Sequence, residues 1–367
     1  MKKILFSLVF FITSLLSNEL QEAIDNASEG SIITLSKGEY HGNIVINKAL
    51  VIDGIDKKAK IIGDGKGSVI SIKKSNVVIK NLSIENSGFS VEKIDSAIHA
   101  KEVNNITIEN NHISDSLFGI NFEQVNRSKI VDNFITSKDL ELGIRGDGIR
   151  LWNSHDNQLF ANRLYKSRDF VLWYSSGNNI ENNYGSYNRY SLHFMYAGRN
   201  MVRNNFFEYN SVGIFFMYSS GTIAIENTVK NSLGAFGVGI GMKDSSDFTL
   251  LENNLIYNPR GLYLDQSPYH PRTVNVFERN NILYNSSGVQ FQVSRERSIF
   301  KENVIKGNIE PVVSDTPRNN LDINDWSGNY WDMYEGFDKN GDGYGDIPYK
   351  HYVYADKLWL YNPNVKF

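Results

Sequence analysis

The chain contains no cysteine, which excludes disulfides, thiolate zinc sites and lipid attachment through an N-terminal Cys. It also lacks a basic excess. Formal net charge is -3 and the sequence pI is about 6.2, so there is no electrostatic case for nucleic acid. No apolar run after residue 16 is long enough to span a membrane. Ser-His and HExxH patterns and a phosphate-binding loop are missing as well, which removes the commonest hydrolase and nucleotide-binding readings.

The one long apolar run lies at the start, in MKKILFSLVFFITSLLSNEL. Lys2 and Lys3 precede apolar residues from Ile4 to Leu16, and Ser14 and Ser17 supply small residues near the end. This pattern predicts a secretory signal peptide over residues 1–17, cut near Ser17, and an exported soluble protein. The flanking lysines argue against a buried N-terminal helix.

What the chain has in abundance is asparagine, 44 of 367 residues, and it recurs with rhythm. Short phrases such as ENN, VDN and RNN end at Asn111, Asn133, Asn162, Asn183, Asn205, Asn227, Asn254, Asn281 and Asn303. The steps between them are 22, 29, 21, 22, 22, 27, 27 and 22 residues. Between the phrases sit apolar alternations, GIRL, SLHF, GIFF and GLYL among them. A unit of this length with period-2 strands suits one coil of a right-handed parallel β-helix. Asn suits its turns because it tolerates left-handed backbone angles and can bond from coil to coil. Longer units predict loops at SKDLELGIRG, KNSLGAFGVG and SPYHPRT. The expected organisation is all-β: signal peptide 1–17, a short helical N-terminal cap and first strands 18–50, coils 51–311, and an irregular C-terminal cap 312–367. A discrete C-terminal module is the alternative to the cap.

Alternation assigns faces. In GIRLWNS, Ile149 and Leu151 point inward, so Arg150 and Trp152 point out. Stacking later coils on this frame predicts an outward column of Trp152, Trp173, Met195, Met217, Lys243 and Asp265. A second runs beside it through Arg150, Val171, His193, Phe215, Gly241 and Tyr263, with Met242 turned inward. An exposed strip of Trp, Met, Phe and His marks a contact surface or a site. A slip of one residue would instead turn the whole set into core.

Thioether sulfur with imidazole is a soft, neutral ligand set suited to Cu(I). His193 and Met195 lie two apart on one face and Met217 one coil further on, so the three are candidate metal ligands. The alternative is that they fill space against a covering loop or partner. The tail phrase DKNGDGYGD places Asp338, Asn340, Asp342 and Asp346 at spacings of a calcium loop, around Gly343. Tyr349 stands where a bidentate Glu would complete it, so Asp332 is a candidate for completion and a polar turn is the competing reading. For polysaccharide cleavage or epimerisation the candidates are Arg150, Lys243, Asp244, Asp265 and His270, yet the frame predicts no stacked carboxylate pair with a basic partner. A passive adhesin or surface scaffold is a third class; the repeat permits it, but it does not account for the His/Met column.

The phrases GDGIRLWNS, LWYSSGNNIENN, SLHFMYAGRNMVRNN, VGIFFMYSSG, GVGIGMKDSS, RGLYLDQSP and NYWDMYEGFDKNGDGYGDIPY together resemble the NosD family, in order and over nearly the whole mature chain. That family serves the maturation of nitrous oxide reductase in the periplasm. The resemblance implies a β-helix of the sugar-hydrolase type without an established sugar-cleaving role, acting as an assembly factor rather than an enzyme. It further implies docking onto an ABC permease and ATPase, and copper passing from a chaperone lipoprotein to nitrous oxide reductase. The family's HFMY phrase carries copper contact to His193, Met195 and Tyr196. Trp152, Trp173, Tyr196 and Phe215 become the expected partner surface.

Overall fold

A computed structural model describes residues 9–12, 19–314 and 321–351. Of the expected signal peptide only Val9–Ile12 is described, as a strand parallel to Ile32–Leu35. Its other residues, with 315–320 and 352–367 of the expected cap, lie outside the described residues.

The chain winds as a right-handed parallel β-helix of three sheets with 13, 12 and 13 strands. Neighbours in every sheet are one coil apart in sequence, because each coil gives one strand to each sheet in turn. Alternating side chains fill a single long core. Phe194, Phe216 and Phe248 stack through it with centroids 4.8 and 4.6 Å apart, all fully buried. Such side chains each contribute about 1.5–3 kcal/mol through burial.

Asparagine governs the corners. Asn183 accepts at Oδ1 from both the backbone and side-chain nitrogens of Asn162, at 2.9 and 3.0 Å. Its own Nδ2 donates to Leu159 O at 2.9 Å and to Asn205 Oδ1 at 3.0 Å. The same pattern climbs from Asn111 to Asn329. The ladder passes through Asn253 and Asn280, so the rhythm read at Asn254 and Asn281 is one residue late in those two coils. Asn254 and Asn281 bond to one another on a neighbouring strand instead.

The N-terminal end is closed by helix α1 (Glu19–Asn26), which buries Leu20 and Ile24. At the other end Trp326 lies on Phe300 at 4.2 Å, and Trp331 stacks on Tyr349 at 4.6 Å. These elements lie at the two ends of the core, where an open strand edge would otherwise invite pairing with other chains. The predicted loops 137–146 and 230–239 protrude at the corner entering the 12-stranded sheet, and 267–273 follows that sheet. That sheet, from Ile44–Ile46 to Glu310–Ser314, carries the candidate site on its outer face and is called the site sheet below.

Candidate metal-binding face

The register of the site sheet reproduces both predicted columns. Trp152 pairs with Trp173, Trp173 with Met195, Met195 with Met217, Met217 with Lys243 and Lys243 with Asp265. Beside them Arg150, Val171, His193, Phe215, Gly241 and Tyr263 are paired in the same order. Met242 is inside, as the alternation required.

Exposure differs from the expectation. Val171, His193 and Phe215 face outward but are only 5, 7 and 7% accessible. The cause is local packing. Tyr190 lies on His193 at 4.5 Å with its ring nearly parallel, and the Phe215 ring meets Tyr190 edge-on at 6.0 Å. Phe215 in turn occupies the space above Gly241, where a Cβ would collide with its ring. Trp152, Trp173, Met195 and Met217 are half-buried, so of the proposed contact residues Tyr196 alone is open to solvent, at 46%. Tyr174, Tyr196 and Tyr218 stack edge-out along the rim at 5.1 and 4.9 Å. Each holds a left-handed backbone angle near +50°. Rings stacked on each other present edges, not faces, so this rim is not a platform for sugar rings.

A carboxylate pair with basic partners is present, contrary to the expectation. Asp147 and Asp169 are both 3% accessible. Arg168 Nε donates to Asp147 at 2.8 Å. Arg189 grips Asp169 with two bonds of 2.9 and 2.5 Å. Burial and the neighbouring Asp169 push the Asp147 carboxyl up. Burial would also raise Asp169, but hydrogen bonds from His193 and Arg189 outweigh it and hold this carboxyl low. Sequence reading missed both because Asp147 sits in the corner loop and Asp169 at a bulge. Between Asp169 and Val171 the partner strand carries one extra residue, so Tyr190 and His193 share the outer face.

His193 is only half satisfied. Its Nδ1 lies 3.4 Å from Asp169 Oδ2, while Nε2 is buried without a hydrogen-bond partner. Trp173 Nε1, one coil away, is also buried and unpartnered. Buried polar atoms are nearly always paired, so an unpaired one marks a place where a ligand or water belongs. A neutral imidazole nitrogen and thioether sulfurs on the same and the next strand match what Cu(I) takes.

Toward the N-terminus the face turns polar. Arg150 donates to Asn121 at 2.9 Å, Asn121 to Glu123 at 3.2 Å, and His99 and Lys101 lie 3.7 and 3.4 Å from Glu123. Burial draws both Arg150 and His99 below their usual values. Lys243 and Asp265 face each other at 3.9 Å, Asp244 adjoins them half-buried, and His270 is exposed in its loop. At the far end Asp338 accepts from the amides of Gly341, Asp342 and Gly343, and Asp346 from that of Lys339. Asn340 bonds Asp342, and Asp332 accepts from Gly307. These oxygens stitch their own turn, and among the described residues no three His, Asp or Glu side chains group to hold an ion.

The family described as "Periplasmic copper-binding protein (NosD)" matches residues 137–336, which hold His193 and both columns. The chain belongs to the NosD family. A NosD protein of Pseudomonas aeruginosa, named a probable ABC transporter binding protein, is 29% identical over 91% of this chain and 80% of its own. Among solved structures, the A-module of the mannuronan C-5 epimerase AlgE4 of Azotobacter vinelandii superposes with a TM-score of 0.67. It is 15% identical and covers 82% of this chain and 95% of its own. The catalytic domain of a GH87 α-1,3-glucanase gives 0.63 at 15% identity, covering 89% and 69%. At these identities the solved structures share the NosD fold and nothing more is drawn from them. Among the described residues no helix is long and apolar enough to cross a membrane.

Proposed function

We propose that this NosD chain is a periplasmic copper-handling accessory protein for nitrous oxide reductase, taking Cu(I) as cargo on His193, Met195 and Met217. The observation that carries the reading is the buried, unpartnered Nε2 of His193 beside a column of thioethers. An apolar surround of Tyr190, Phe215 and Val171 favours a singly charged soft ion over Cu(II) or Zn(II), which are costlier to desolvate. Copper comes from a chaperone lipoprotein and leaves to the reductase. The membrane partners are an ABC permease and ATPase, in keeping with the ABC transporter mentioned in the relative's name. Tyr196 and its neighbours Tyr174 and Tyr218 supply the open surface for one of these contacts.

The purified chain, titrated against a chromophoric Cu(I) chelator, is expected to compete for the ion. His193→Ala combined with Met195→Leu is expected to weaken it strongly, and an unchanged affinity would remove the site. The paired carboxylates Asp147 and Asp169 favour a second reading, cleavage or epimerisation of an acidic polysaccharide. Each is occupied by an arginine, and Asp169, held low by His193 and Arg189, is a poor general acid. A panel of uronate polymers with no product formed would dispose of that reading.

A further inference from the structure

The buried pair Asp169–Arg189 has no part in the ligand set just proposed, and its cost needs a return. We infer that Asp169, clamped by Arg189, is a positioning residue of the copper site that fixes His193 in the tautomer with its proton on Nδ1. This rests on the reading of His193 as a copper ligand.

The argument runs from donors and acceptors. Arg189 donates to both carboxylate oxygens of Asp169, at 2.9 and 2.5 Å, which leaves them facing His193 as acceptors. The nitrogen facing Oδ2 at 3.4 Å is His193 Nδ1, which must therefore carry a hydrogen. An imidazole that ligates a metal has a single N–H, and with that hydrogen on Nδ1 the lone pair lies on Nε2. That is the atom found buried without a partner. The ring cannot easily swing to exchange the two nitrogens. Tyr190 lies against one face at 4.5 Å, and Phe215 braces Tyr190 from its edge.

The bulge makes this arrangement possible, because an unbroken register would bring Tyr190 and His193 to opposite faces. A carboxylate behind a ligating imidazole orients the ring and raises its donor strength. Because the guanidinium cancels the carboxylate charge, it does so without adding net charge to the site.

The test starts with the unaltered protein. Nitrogen-15 correlation spectra of its histidines, in the copper-free state at neutral pH, are expected to show His193 protonated at Nδ1 and bare at Nε2. Protonation at Nε2 in that spectrum would overturn the inference with no variant made. Asp169→Asn is then expected to lower Cu(I) affinity about ten- to hundredfold. The same variant should bring an Nε2–H population into the spectrum, because an amide can donate to Nδ1 where a carboxylate cannot. If Asp169→Asn binds Cu(I) like the parent while His193→Ala loses it, the copper reading stands and this inference falls. If the parent itself binds no Cu(I), the copper reading falls first and takes this one with it.

Discussion

The corner ladder of asparagines and the outer face of the site sheet solve opposite problems with the same repeat. In the ladder, the Asn183 side chain is bonded to Asn162 on one side, to Asn205 on the other and to the backbone of Leu159 one coil before, and no polar atom of it is left over. On the face, one coil height away in the same stack, His193 Nε2 and Trp173 Nε1 are buried and unmet. The asparagines of the ladder are satisfied by their neighbours, whereas His193 and Trp173 are packed by neighbours that do not bond these nitrogens.

Several substitutions break or sharpen that contrast. Asn183→Ala strips acceptors from two nitrogens of Asn162 and the donor from Leu159 O. At about 1–3 kcal/mol for each of these three stranded groups, the loss is roughly 3–9 kcal/mol, read as a lowered unfolding midpoint, with Cu(I) affinity kept in the folded fraction. Phe216→Ala, on the inner side of the strand that bears Phe215 and Met217, is expected to cost about 3–5 kcal/mol. Gly241→Ala pushes on the Phe215 ring and costs about 1–3 kcal/mol; Phe215 and Tyr190 shift with it, so this one should also disturb Cu(I) binding. His193→Phe goes the other way. It removes a buried unpaired nitrogen together with the Nδ1 contact to Asp169, whose oxygens Arg189 still bonds, and is expected to change stability little while Cu(I) binding is lost.

The smallest effect belongs to the surface. Asp53 is held below its usual range because hydrogen bonds from Asn81 and Lys80 outweigh the raising effect of burial. Its contribution is present at neutral pH and is lost as pH falls through its depressed value. Asp53→Asn should therefore lower the urea midpoint slightly at pH 7 and not at pH 2. An equal shift at both pH values would contradict the assignment.

Much of this was legible from residues alone. Period-2 alternation between asparagine turns fixed the register, so Trp173, Met195 and Met217 could be placed on one column before any coordinate. Facing outward was mistaken for being exposed at Val171, His193 and Phe215, because cover supplied by Tyr190 depends on a bulge that a strict alternation has no place for. Asp147 and Asp169 were hidden for the same reason. They sit where strand phase changes, and only the fold shows that Arg168 and Arg189 from the next coils reach them. The calcium-like spacing of Asp338 to Asp346 is equally well explained by a turn that bonds its own amides.

X-ray absorption at the copper edge, on the protein loaded with one equivalent of Cu(I), probes the central claim most directly. The account predicts a first shell of one imidazole nitrogen and thioether sulfur, with the imidazole signal lost in His193→Ala and the sulfur signal reduced in Met217→Leu. A shell of nitrogen and oxygen alone, or one that survives both changes, would contradict it.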